Sequence, residues 1–170
     1  VARGTSGKNS GVVHTGFNVP TGSVKARLNV IGASMFEGVC TDLRVPFKRV
    51  GKLVIALTSK EAPDLEKLKA IGDANGVPLL EIIDAKAIKR MEPNISGYAA
   101  MNAPPAAITC PFRFTIALAE SAVANGAEPI EVPLLRDFAL DVGAMDRALL
   151  QSRPNVVFLA WPNNPTGTLW

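Results

Sequence analysis

The chain has 170 residues, 48% of them apolar, with a mean hydropathy of +0.20 and a formal net charge of +3, enough to bury one core and too apolar for a disordered segment. Lys, Arg, Asp, Pro or Gly interrupts every apolar stretch and no secretory h-region follows the start; this excludes a membrane-spanning helix and leads to the expectation of a soluble, cytoplasmic protein. Cys40 and Cys110 lie in no CxxC or Cys/His grouping, so neither a disulfide framework nor a metal site is expected.

In chain order, the first segment is "RGTSGKNSGVVHTG", where Gly4, Gly7, Gly11 and Gly16 alternate with Thr5, Ser6, Asn9 and Ser10. Glycines let a backbone approach a ligand closely, and hydroxyls, the Asn amide and free N–H groups can surround phosphate or ribose oxygens. The segment has neither G-x-G-x-x-G nor P-loop spacing, and by composition alone it reads as a flexible polar terminus.

Val24, Leu28, Ile31, Met35, Val39 and Leu43 recur at steps of three and four, one face of a helix that starts after Ser23 as N-cap and ends before Pro46. A buried strand is expected in "GKLVIALT", residues 51–58, and a helix in "PDLEKLKAIGDANG", with Pro63 in its first turn and Gly76 as its stop. "LLEIID", residues 79–84, reads as a strand whose Asp84 caps a helix through Met91. In "YAAMNAPPAAI" the two prolines argue for an edge strand and a loop.

"CPFRFTIALAESAVANG", residues 110–126, is the clearest helix, with Pro111 at its first turn and Gly126 past its end. Ile130, Val132 and Leu134 alternate as a strand, Asp141 caps a helix through Leu150, and "NVVFLA" is a last strand before "PNNPTGTLW". This alternation predicts an α/β or α+β fold of mixed strands and helices. Residues 1–60 hold nine Lys or Arg against two acids, and residues 61–170 nine against thirteen. The basic front half suits a small anionic substrate; without interleaved aromatics it does not point to nucleic acid.

His14 is the only histidine, a residue type suited to general acid–base work, and no partner acid or metal spacing accompanies it. Lys25 and Arg27 are candidates for an anionic group, with a solvated helix face the plainer reading.

"ARGTSGKNSGVVHTGFN", "PTGSVKARL", "VPFKRVGKLVIALT", "ANGVPLLEIID", "MEPNISGYAAMNAP" and "PFRFTIALAESAVANG" together resemble the FAD-dependent oxidoreductases of the D-amino-acid-oxidase superfamily, in the glycerol-3-phosphate dehydrogenase and L-2-hydroxyglutarate oxidase branch. The resemblance covers residues 1–127. It implies oxidation of a hydroxy acid or polyol phosphate by hydride transfer to FAD, with Thr5, Ser6, Gly7, Asn9, Ser10 and Gly11 along the cofactor and His14 at the flavin ring. The family's G-x-G-x-x-G turn belongs just upstream of "VARGTSG", so no complete Rossmann nucleotide-binding unit is expected.

From residue 128 the sequence resembles instead histidinol-phosphate aminotransferase, a fold-type I enzyme dependent on pyridoxal phosphate, through its "PNNPTG" turn. That resemblance implies Asn164 as a hydrogen-bond partner of the cofactor ring. The Schiff-base Lys that transamination requires is not in the matched stretch. The expectation is therefore a composite cut at both ends: a partial oxidoreductase domain over 1–127 and a partial aminotransferase large-domain segment over 128–170. Its activity alone would be low, and apolar faces left uncovered would favour self-association. A non-catalytic α/β fragment is the other reading.

Overall fold

The computed structural model describes residue 2 and residues 5–159. A 3₁₀ turn at Thr5–Gly7 leads into strand β1 (Val12–Val13) and helix α1 (Val24–Asp42). Strands β2 (Phe47–Arg49) and β3 (Leu53–Ala56), helix α2 (Ala62–Ala74), strand β4 (Glu81–Asp84) and helix α3 (Ala85–Met91) follow. Strands β5 (Ala99–Asn102) and β6 (Ala107–Thr109) and helices α4 (Pro111–Ala124) and α5 (Val142–Ser152) complete the described elements.

The strands form two three-stranded sheets, ordered β1-β6-β2 and β3-β5-β4, and every pairing is antiparallel. The expected mixture of helices and strands is present, and the described residues contain no parallel pair of the kind a Rossmann unit is built on.

Local chemistry sets the helix ends. Ser23, Asp84 and Asp141 each accept a hydrogen bond from the backbone N–H three residues on, at 3.1, 2.8 and 2.8 Å, and so start α1, α3 and α5 where the sequence placed them. Proline stands in the first turn of α2 and α4, where its missing N–H has no partner to lose.

The core forms on the β3-β5-β4 sheet. Val54 and Ala56, Ile82, and Ala99 and Met101 share one face, on which Leu65 and Leu68 of α2 pack together with Phe17, Val77 and Leu80. The opposite face carries Ile55, Ala100 and Ile83 in register, with Ile88 of α3 fully buried on that side. At Gly97 an added Cβ would overlap the Ile55 side chain and touch Ile88, so the chain enters β5 only as glycine.

Several expectations are corrected. The stretch 98–108 is not an edge strand with a loop: β5 and β6 are each the central strand of a sheet. Pro104 and Pro105 fall in the turn between them, where they remove no ladder hydrogen bond. All four residues of β5 are buried because both faces are covered, which is why no alternation marks it.

Residues 130–134 form no strand, since among the described residues no strand is paired with them, and Ile130 stays exposed. Residues 155–159 form none either, with Phe158 93% exposed. Ala160 and the "PNNPTG" turn lie outside the described residues. The apolar stripe of α1 is real but uncovered: Val24, Leu28, Ile31 and Met35 are exposed, and the helix buries Ala26 and Cys40 instead. Among the described residues, none beyond Ala107 is buried.

Candidate functional site

The polar glycine-rich segment is folded by its own side chains. Asn9 accepts the Gly11 N–H on Oδ1 at 2.8 Å and donates from Nδ2 to the Ser6 carbonyl at 3.3 Å, an Asx-type turn that curls the loop back on its 3₁₀ start. Gly11 sits at φ +69°, and an added Cβ would overlap the Thr109 carbonyl oxygen and press on Pro111. Its own carbonyl accepts the Thr109 N–H at 2.9 Å, which carries the loop into the β1-β6 pairing.

Beyond β1 the chain is held from the other side. The Asn75 Nδ2 at the end of α2 donates to the carbonyls of Gly16 and Val19, at 3.0 and 2.8 Å. His14 lies between these two fixed points, exposed, while its neighbour Thr15 is buried with a hydroxyl that has no hydrogen-bond partner among the described residues.

A cleft of about 490 Å³ opens beside this loop. One wall is the loop itself, with Ser6, Asn9, Gly11 and His14; the second is the middle of α1, with Leu28, Asn29, Gly32 and Phe36; the third is the start of α4, with Pro111, Phe114 and Thr115. Phe36 stacks on Phe114 with ring centroids 4.7 Å apart and on Phe47 of β2 at 6.4 Å, so the aromatic contacts that join α1 to α4 and β2 also border the cleft. The N-cap of α4, Cys110, gives no side-chain hydrogen bond to the first-turn N–H groups of that helix, which stand beside the cleft wall.

Of the residues expected along a cofactor, Ser6, Asn9, Gly11 and His14 therefore come together. Thr5 and Gly7 belong to the 3₁₀ turn, where a Cβ on Gly7 would meet the Ala2 carbonyl and Phe112. Ser10 is exposed. Asn164 lies outside the described residues. Lys25 and Arg27 are exposed on α1, in keeping with a solvated face.

The α1 and α4 walls were not anticipated; a glycine in mid-helix, Gly32, was the signal available for the first of them. A second, open concavity of about 750 Å³ is bordered by Leu57, Lys86 and Tyr98 around the start of β5. Among the described residues no group of three His, Cys, Asp or Glu is arranged to hold a metal ion, and no helix is long and apolar enough to cross a membrane.

Residues 1–138 match the family described as FAD dependent oxidoreductase, and residues 117–170 match, over a short stretch, that described as aminotransferase class I and II. The glycerol 3-phosphate dehydrogenase of Caloramator mitchellensis is 44% identical over 124 residues, which cover 72% of this chain and 26% of that protein. The mitochondrial L-2-hydroxyglutarate dehydrogenase of Nematostella vectensis is 40% identical over 99 residues, 58% of this chain and 22% of that protein. The chain thus spans about a quarter of the length of these curated relatives.

Among solved structures, the dithionite-reduced L-alpha-glycerophosphate oxidase of Mycoplasma pneumoniae, with FAD bound, superposes with a TM-score of 0.67 at 26% identity, over 74% of this chain and 34% of that one. Glycine oxidase of Geobacillus kaustophilus shares the fold, with a TM-score of 0.68 at 22% identity over 81% of this chain and 40% of its own.

Proposed function

The chain belongs to the FAD-dependent oxidoreductase family, and on that premise we propose that its cleft holds the flavin end of FAD next to a small anionic hydroxy acid or polyol phosphate. The observation that carries this reading is the convergence of Ser6, Asn9, Gly11 and His14 on one cleft with an aromatic wall at Phe36 and Phe114. The donor set suits the group: polar loop atoms for ribityl and phosphate oxygens, apolar and aromatic surface for a flat ring. The cleft takes only part of so extended a molecule, and the chain has no G-x-G-x-x-G turn for the adenosine half.

FAD, when bound, supplies the two-electron acceptor for the substrate's hydride. The chain's own contribution is positioning and proton handling. The Asn9 turn and the Gly11–Thr109 contact hold the loop against α4, and Asn75 fixes the segment after His14. His14 takes the proton of the substrate hydroxyl at an imidazole nitrogen. In the same reading Thr5, Gly7 and Ser10 line the cofactor's path through the loop backbone.

The proposal extends to organisation. Residues 1–127 are a partial oxidoreductase domain and residues 128–170 an aminotransferase large-domain segment, their boundary inside the stretch 117–138 that both family matches share. Among the described residues from 128 to 159 none is buried, which supports a second piece that adds nothing to the first core. The protein is cytoplasmic in this reading, of low activity alone, and self-associates through exposed apolar side chains such as Val24, Met35 and Phe158.

The absorbance of the purified chain reconstituted with FAD tests the first part. A flavin spectrum retained after gel filtration is expected, and loss of all the flavin overturns it. In the flavin-loaded protein, His14→Gln should slow reduction by substrate about 100-fold or more; an unchanged rate removes His14 from the site.

The match of residues 117–170 supports a second reading, in which Asn164 faces pyridoxal phosphate. Uptake of that cofactor, seen as a pyridoxal absorbance band, would favour it, and a protein that takes up neither group is a non-catalytic α/β fragment.

A further inference from the structure

α1 contains two interior glycines, Gly32 and Gly38, and a glycine inside a helix destabilises it relative to alanine. Packing requires neither: a Cβ built on either residue meets no atom within 4 Å. Neither has the positive φ that glycine alone tolerates well. The two differ in what they face. Gly38 is exposed and lines neither of the two concavities described above, whereas Gly32 is half-buried and lies in the cleft wall.

The wall is one side of the helix. Leu28, Gly32 and Phe36 follow each other at steps of four, with Asn29 and Ala33 beside them, so the Cβ direction of Gly32 is the centre of that side. Phe36 below is fixed by its stacking on Phe114, and Asn29 above is tied by its Nδ2 to the Lys25 carbonyl at 2.9 Å. Neither neighbour is free to fill the gap.

We infer that Gly32 is a specificity-determining residue of the cleft: its missing side chain admits a flat, bulky ring against α1, and a larger residue there excludes it. This rests on the assignment of the cleft to the flavin end of FAD.

Gly38 supplies the control on the same helix. FAD titrated into the full chain, followed by flavin fluorescence, should bind Gly32→Leu about tenfold more weakly or worse, through steric exclusion. Gly38→Leu should bind as the unsubstituted chain does. Thermal melting of both variants should match or exceed that of the parent, because each replaces a helix-interior glycine. Gly32→Ala carries the same comparison with a smaller loss if the leucine variant does not melt cooperatively. Equal FAD affinity in the parent and Gly32→Leu overturns the inference and leaves the cleft assignment standing; a parent chain that binds no FAD overturns both.

Discussion

The Gly11 carbonyl accepts a hydrogen bond from the Thr109 N–H at 2.9 Å, and the space a side chain on Gly11 would need is filled by the Thr109 carbonyl oxygen. These two residues therefore close the loop onto the start of α4 at a distance only glycine permits. Gly11→Ala should destabilise the fold by about 1–3 kcal/mol, from the strained φ and the backbone overlap together. Urea unfolding measures it; a loss below about 0.5 kcal/mol would mean that the loop relaxes freely away from β6.

Asn75 presents its amide N–H₂ to two carbonyls, and the chemistry of that choice can be read by isosteric replacement. Asn75→Ala removes two hydrogen bonds, at about 1 kcal/mol each. Asn75→Asp keeps the shape but sets a carboxylate against the Gly16 and Val19 oxygens, so it should be the more damaging of the two. Equal midpoints in a denaturant titration would contradict the donor role.

Met101, fully buried in the central strand, and Phe158, 93% exposed, are both large apolar residues with opposite expected behaviour. Met101→Ala should lower stability by about 2–5 kcal/mol through lost burial and a residual cavity. Phe158→Ser should leave stability within about 0.5 kcal/mol and reduce self-association, followed by sedimentation across a concentration series.

The elements that the sequence disclosed are those written in local chemistry. Ser23, Asp84 and Asp141 announce helix starts because a capping side chain acts only three residues away, and Gly76 and Gly126, both at positive φ, announce ends. What stayed hidden depends on partners. The centrality of β5 and β6 follows from strands far off in the chain, and Ala99–Asn102 show no alternation precisely where both faces are covered. Ile130, Val132 and Leu134 alternate well but have no ladder among the described residues.

The site divides along the same line. Ser6, Asn9, Gly11 and His14 of the cleft lie on one contiguous segment, whereas Asn29, Gly32 and Phe114 join them only through tertiary packing. A helix face that borders a cleft has the same period as one that packs on a core.

The two sheets also differ in when they can exist. All three strands of β3-β5-β4 lie within residues 53–102, with α2 and α3 between them, so this layer can close as soon as its own stretch of chain is available. β1 and β2 instead both wait for β6, and Val12 pairs with Ile108 across the whole of that segment. Loop closure over so long a span is the slow kind. During synthesis topology thus lets the β3-β5-β4 sheet close first, and the N-terminal glycine-rich loop gains its β6 partner and its α4 wall only when residues 107–115 arrive to receive it.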